Sequence, residues 1–276
     1  MMMGTEGELS TLGVVAGNGL YPRMIIEGAR RRVPGIRIVA VAFQGETKPD
    51  IDELADKVEW FRVGQISKPF KFLKKNGVEK VAMVGQLAPK NLFNLRPDLR
   101  ALMLLARLPR RNAETIFGAI ADEAAEFGLE VISSTTFMDD YIPVAGHIAG
   151  PLPSPRQMED ARYGMDIAKE VSRLDIGQSV VVRHGTVLAV EGFEGTNECI
   201  KRGGALGNGR DVTLAKVAKP NHDMRFDVPV VGVQTLENCR DAGISQIVME
   251  AGRTILLQQE EVAELCKKYK ISLHAL

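Results

Sequence analysis

The residues with the clearest chemical potential lie in the run Asp223-Met224-Arg225-Phe226-Asp227-Val228-Pro229. Carboxylate, guanidinium and carboxylate alternate there with apolar side chains. In an extended segment side chains two apart share a face, so Asp223, Arg225 and Asp227 would point together, with Met224, Phe226 and Val228 turned into a core. Two acids and a base on one face, just after Lys216 and Lys219, suit metal-assisted chemistry on a phosphate: oxygen ligands for a divalent cation, and cations for the phosphate charge. A half-buried edge strand with a surface ion pair shows the same alternation, and spacing alone favours that plainer reading.

Further carboxylates end other strand-like runs. Glu191-Gly192-Phe193-Glu194-Gly195-Thr196 follows one, and Glu250-Ala251-Gly252-Arg253 another, while Arg173-Leu174-Asp175-Ile176-Gly177-Gln178 joins a helix to a strand. Asp227, Asp223, Glu191, Glu194 and Glu250 are therefore candidate ligands for Mg2+. The histidines His147, His184, His222 and His274 lack ligand spacing, and only His222 adjoins the acidic run.

The first half offers phosphate chemistry of a different kind. Gly17-Asn18-Gly19 stands at the turn from an apolar strand (12–16) into a helix (20–32). Glycines there let a ligand approach the backbone, and a helix N-terminus presents free N–H groups; a plain tight turn uses the same residues. A nicotinamide fingerprint is poorly met, because Pro22 replaces the third glycine and the second strand ends in Phe43-Gln44 instead of an acid. Gly85-Gln86-Leu87-Ala88-Pro89-Lys90 follows the fourth strand, where Gln86 can meet a base or sugar and Lys90 a phosphate. Between Lys90 and Arg111 there are six basic residues against one acid, Asp98. Leu99, Leu102, Met103 and Ala106 make an apolar helix face within that stretch, fit for an anionic bilayer, an acyl chain or simple core packing.

These candidates need elements to hold them. Short apolar strands near 12–16, 36–43, 58–63, 78–84 and 129–133 alternate with helices near 20–32, 67–76, 98–108 and 113–127, the pattern of a parallel α/β sheet covered on both faces. Residues 146–155 hold two glycines and three prolines and read as a linker, after which Ser154 caps a helix with Pro155 at its first position. Strands near 179–183, 187–190, 213–217, 228–233 and 246–248, with helices near 236–242 and 260–268, follow. The expected organisation is a Rossmann-like nucleotide- or phosphate-binding domain over 1–145, a linker over 146–155, and a mixed α/β catalytic domain over 156–276.

Composition narrows the function classes. Lys+Arg and Asp+Glu are both 35, so no global field draws the chain to nucleic acid or to an anionic membrane. Cys199, Cys239 and Cys266 are odd in number and show no C-x-x-C pair, which points to reduced structural thiols and a cytoplasmic setting. No apolar run approaches the ~20 residues of a membrane span, and the first ten residues do not resemble a signal peptide.

Taken in order, several of these segments resemble one family. They are Ala16-Gly17-Asn18-Gly19-x-x-Pro22, Gly85-Gln86-Leu87-Ala88-Pro89, Arg173-Leu174-Asp175-Ile176-Gly177-Gln178 and Val187-Leu188-Ala189-Val190-Glu191-Gly192-Phe193-Glu194-Gly195-Thr196. Lys216-x-x-Lys219-Pro220, Arg225-x-Asp227-x-Pro229-x-x-Gly232 and Glu250-Ala251-Gly252-Arg253 complete the set. The chain is similar over nearly its whole length to the LpxI-type UDP-2,3-diacylglucosamine pyrophosphatases of bacterial lipid A biosynthesis. That resemblance implies a two-domain α/β enzyme with the substrate between its domains. It implies magnesium-dependent hydrolysis to UMP and 2,3-diacylglucosamine 1-phosphate, by water attack on the uridine-side phosphorus. It marks Asp227 as the essential aspartate; the residues themselves then suggest Arg225, Lys216 and Lys219 to neutralise phosphate charge and Gly17, Asn18, Gly19, Gln86 and Lys90 to bind substrate. It also implies transient contact with the inner membrane from the cytoplasmic side, and is compatible with a homodimer. The chain departs from the family pattern at Asn112-Ala113-Glu114, where a Gly-Asp-Asp-like turn is expected, and at Asn197, where aspartate is usual. A non-catalytic nucleotide-binding regulator on the same fold, and a nicotinamide-dependent oxidoreductase, are the competing readings.

Overall fold

A computed structural model describes residues 9–86, 98–108, 113–219, 225 and 228–276, without the side chains of residues 113 and 114. The chain divides into two compact units between Asp139 and Asp140, except that Arg225 is grouped with the first.

The first unit is built on five strands: β1 (Thr11–Ala16), β2 (Arg37–Phe43), β3 (Lys57–Phe61), β4 (Lys80–Val84) and β5 (Glu130–Val131). They pair in the order β3-β2-β1-β4-β5, every pair parallel. The central strands are almost continuously apolar because helices cover both faces, and Ile38 to Phe43 are all buried. The helices are α1 (Tyr21–Arg32), α2 (Ile51–Leu54), α3 (Ser67–Lys75), α4 (Leu99–Arg107) and α5 (Ala113–Glu126). Strand β5 is shorter than its apolar run predicts. It pairs only with Lys80 and Val81 of β4, and a turn stabilised by Ser133 Oγ against Thr135 follows at once. The strand order reverses between β1 and β4, which opens a crevice beyond their carboxyl ends.

One carboxylate organises two of these helices. Asp98 Oδ1 accepts the Ala101 N–H at the start of α4, and Oδ2 accepts the N–H groups of Ile66 and Ser67 at the start of α3. Burial pushes the Asp98 carboxyl up, but the Ala101, Ser67 and Ile66 amides outweigh it and hold the group below its ordinary value.

The second unit carries a mixed sheet in the order β6-β13-β11-β9-β7-β8. Its strands are β6 (Gly146–Ala149), β7 (Ser179–Arg183), β8 (Thr186–Val190), β9 (Val212–Lys216), β11 (Ile244–Met249) and β13 (Ser272–Ala275). Strands β9, β11 and β13 are parallel, whereas β6 and β7 run against their neighbours. A separate parallel pair joins β10 (Val230–Val231) to β12 (Ile255–Leu256). Helix α6 (Pro155–Arg173) opens on a capping box: Ser154 Oγ accepts from Gln157 N, and Gln157 Oε1 accepts from Ser154 N. Its Ala161, Met165 and Ala168 pack on Val180, Val182, Ala215 and Val248. The opposite face of the sheet is covered by α7 (Thr196–Leu206), α8 (Val233–Ala242) and α9 (Gln259–Tyr269). Each contributes one buried cysteine, Cys199, Cys239 and Cys266, to the core around Val181, Leu214 and Ile247. Burial pushes the thiols of Cys199 and Cys266 up to about 12, and that of Cys239 up as well.

Two expectations change. The first four residues of the segment read as a linker, Gly146–Ala149, form edge strand β6 against β13; a Pro/Gly-rich flank disguised a pairing whose partner lies over a hundred residues on. The extended run expected across 223–228 is not seen at the residues described there. Arg225 lies in a turn, and β10 begins only at Val230, after Pro229, which has no N–H to give a strand ladder.

Replacing Asp98 with Ala should cost about 2 kcal/mol of stability, from losing caps on two helices, measurable by urea denaturation. Because the folded-state pKa is depressed, Asp98 contributes fully above its unfolded value of ~3.9 and loses the contribution as pH falls through the folded value. The gap between parent and variant should therefore close below about pH 4; a gap that persists at lower pH would contradict the assignment.

Candidate functional site

Candidate residues gather at the carboxyl edge of each sheet. In the first unit the loops after β1 and β4 are joined backbone to backbone. Gly17 N donates to Val84 O (2.7 Å), Asn18 N to Gln86 O (2.7 Å), and Gln86 N to Asn18 O (3.0 Å). A Cβ on Gly17 would lie 2.7 Å from Gln86 O, and one on Gly85, whose φ is +93°, 2.7 Å from Asn18 O. Only glycine at both positions allows this approach. Gly17, Asn18, Gly19 and Gln86, four of the predicted substrate-binding residues, thus form one surface at the switch point. Asn18 Oδ1 accepts the Gly19 N–H (2.7 Å), and α1 starts without a side-chain cap, leaving its first N–H groups directed at the crevice. Thr47, buried, braces this rim by donating to the Ala16 carbonyl and accepting from Phe43 N. The Tyr21 hydroxyl donates to Ser134 O, and burial raises its pKa to about 12. Lys90 lies outside the described residues.

In the second unit the ends of β8, β9 and β11 and the start of β7 come together. Lys216, at the end of β9, is paired in register with Ser179 and with Met249. Glu191, one residue past β8, donates its N–H to Ser179 O. Both Lys216 and Glu191 are buried, each 7% exposed. Thr196 stands between them: its hydroxyl donates to Glu191 Oε1 (3.0 Å) and accepts from Lys216 Nζ (3.3 Å), with Ser179 Oγ 3.4 Å away. Gly195, at φ +83°, turns the chain so that Thr196 opens α7. The loop leaving α6 closes the arrangement, since a Cβ on Gly177 would sit 2.1 Å from the Glu191 carbonyl oxygen. On the β11 side, Glu250 accepts the Ala218 N–H and pairs with Arg253, which donates to Lys219 O. Lys219 Nζ in turn pairs with Asp175. Segments around 175, 191, 216 and 250, far apart in sequence, therefore share one edge.

The candidate metal ligands fare differently. Glu194 is drawn away by Arg202 and by the Gly192 N–H; its own backbone N–H and the Arg202 guanidinium hold its carboxyl below the ordinary range. Both Glu250 oxygens have partners. Glu191 Oε2 is buried with no hydrogen-bond partner, so it is the one oxygen among these three glutamates left for a cation or a ligand donor. Among the described residues no group of three histidine, cysteine or acidic side chains is placed to hold a metal; Asp223 and Asp227 lie outside them. Thr196 and Ser179 were not singled out in the sequence as members of this cluster, although a threonine straight after a glycine turn was a visible signal for the first. His147 and His274 pair across β6 and β13 with ring centroids 6.0 Å apart. Burial, then His147 and Arg162, pushes His274 below the ordinary histidine value.

Helix α4 has a divided character. Ala101 and Leu104 are buried, while Leu99, Leu102 and Met103 are exposed. Arg100 pairs with Glu123 and Glu126 and lies over the Phe127 ring.

Comparison with known proteins gives a consistent result. Residues 11–141 match the LpxI N-terminal domain and residues 144–274 the LpxI C-terminal domain. The chain is 32% identical over 266 residues to the UDP-2,3-diacylglucosamine pyrophosphatase LpxI of Caulobacter vibrioides, covering 91% of this chain and 92% of that protein. Among solved structures, the biotin carboxylase subunit of pyruvate carboxylase is 16% identical with a TM-score of 0.28, over 63% of this chain and 35% of that one. The biotin carboxylase domain of the Hydrogenobacter thermophilus 2-oxoglutarate carboxylase is 12% identical with a TM-score of 0.26, over 84% and 41%. The chain spans less than half of those two structures, and likenesses this distant carry no argument.

Replacing Gly85 with Ala should cost roughly 2 kcal/mol or more, because φ is positive and the methyl group meets the Asn18 carbonyl. Chemical denaturation of the variant tests this, and parent-like stability would dissolve the account of the paired loops.

Proposed function

The chain belongs to the LpxI family, and from that premise we propose that it hydrolyses the pyrophosphate of UDP-2,3-diacylglucosamine in lipid A biosynthesis, releasing UMP and 2,3-diacylglucosamine 1-phosphate. The activity named for its Caulobacter relative supports the reading. The observation that carries it is the polar edge of the second unit, where buried Lys216 and Glu191 are bridged by Thr196. A cation held next to an acceptor suits a substrate that presents both phosphate charge and hydroxyl donors.

In this proposal water attacks the uridine-side phosphorus, the bridging oxygen leaves with the sugar phosphate, and both products are phosphate monoesters. Asp227 is the essential acid, Arg225 its basic neighbour, and Lys216 and Lys219 face the phosphate charge. An unperturbed aspartate, with a pKa of ~3.9, is a weak base at neutral pH, so Asp227 serves better as a metal ligand or water-orienting group. The unpartnered Glu191 Oε2 is a second oxygen suited to a divalent cation. Magnesium, when bound, would neutralise phosphate charge and lower the pKa of water. Gly17, Asn18, Gly19, Gln86 and Lys90 serve the nucleotide and its phosphates, through backbone N–H groups at the start of α1 and the Gln86 amide. The exposed Leu99, Leu102 and Met103 face of α4 meets acyl chains, on the cytoplasmic side of the inner membrane. Among the described residues no helix is long and apolar enough to cross a membrane.

Asp227→Ala should lower the rate of UMP release from the lipid by at least about a hundredfold, with an unchanged circular dichroism spectrum; full activity in folded variant protein would sink the assignment. Chelation should abolish turnover and magnesium restore it. Magnesium should also raise the melting temperature of the parent and not of a Glu191→Gln, Asp227→Ala double variant. An equal rise in both would move the metal elsewhere.

A further inference from the structure

Three apolar side chains stand in solvent beside the polar edge of the second unit. Phe193, at the tip of the turn between Glu191 and Thr196, is 110% exposed, Leu174 is 58% exposed and Ile176 is 52% exposed. They come from two loops pressed together where Gly177 meets the Glu191 carbonyl, so one loop pair carries both the buried Glu191–Thr196 contact and the exposed apolar tips. Leaving a phenylalanine wholly in water is unfavourable in proportion to its apolar area. Among the described residues no packing requirement explains it.

The charges around these tips cancel in pairs. Arg202 is matched by Glu194, Arg173 by Glu170, Lys219 by Asp175 and Lys201 by Glu198. Among the described residues the surface is therefore apolar at its tips and neutral around them, the reverse of a basic patch that waits for anionic lipid. Taking 150–250 Å² for an aromatic side chain, the three tips together offer on the order of 400 Å². That is about half of the ~800 Å² per partner in a stable protein interface. It suits shallow insertion, in which protruding apolar and aromatic groups enter the headgroup–acyl boundary.

We propose that Leu174, Ile176 and Phe193 form a wedge that inserts into the interfacial layer of a phospholipid bilayer. Inserted, it sets the Lys216–Thr196–Glu191 cluster at headgroup depth, where the phosphates of a diacylated lipid lie. The functional meaning rests on the hydrolase reading; the insertion itself does not.

Flotation with substrate-free vesicles separates the two. The parent protein should float with zwitterionic phosphatidylcholine vesicles, and binding should survive about 0.5 M NaCl, where electrostatic attachment is screened. The double variant Phe193→Asp, Ile176→Asp should partition at least about tenfold more weakly. Its melting temperature should match the parent's, because both side chains are exposed. Any of four results would overturn the wedge: no flotation of the parent, equal flotation of the variant, parent binding confined to anionic vesicles at low salt, or a dimer in sedimentation that the substitutions dissolve. Because no substrate is present, failure here leaves the hydrolase reading standing, and failure of UMP release leaves the flotation result intact.

Discussion

An ammonium and a carboxylate, both withdrawn from water, share a single threonine hydroxyl at the edge of the second sheet. Burying either charge alone is costly, and the cost is offset only if hydrogen bonds and opposite charge are supplied in the right places. Lys216 is fixed by the register of β9 against β7 and β11, Glu191 by its N–H to Ser179, and Thr196 by the glycine turn that starts α7. A slip of one residue in that register would turn Lys216 to the opposite face and leave Glu191 uncompensated. Sheet order, the Gly177 contact and the position of α7 are thus conditions for keeping these charges in place.

The first unit meets its own constraint without charge. Its loops approach so closely that two glycines touch across the gap between β1 and β4, and the result is a rigid floor of backbone amides. In α/β folds such a floor is where anionic ligands settle, because it costs no reorganisation on binding. Each unit thus presents a different kind of polar surface at its sheet edge: backbone amides in the first, a buried ammonium and carboxylate in the second.

The fold was legible where apolar runs are continuous and local. The strands β1, β2, β4, β7 and β9 and the capped helix α6 follow from β-branched runs, glycine breaks and the Ser154-Pro155 start. Strands β6 and β13 did not show, because each is four residues long, polar in part, and made a strand only by a distant partner. The site was legible in pieces. Glycine loops and strand-end acids stand out by type, but nothing in the spacing pairs Glu191 with Lys216, or tells Glu194 from Glu191. That distinction came from Arg202, eight residues past Glu194, which claims one carboxylate and leaves the other. The weight given to Asp227 comes from the family pattern and not from alternation, since Arg225 lies in a turn.

The three thiols add a different kind of consequence. Cys199, Cys239 and Cys266 sit one on each of the helices that cover a single face of the second sheet, all fully buried and with raised pKa values. Thiolate is the reactive form, so none should react while its helix is seated. The chain thus carries a native clock for the opening of that layer: alkylation, mapped by residue and time, would report the order in which α7, α8 and α9 lift from the sheet, with no substitution introduced.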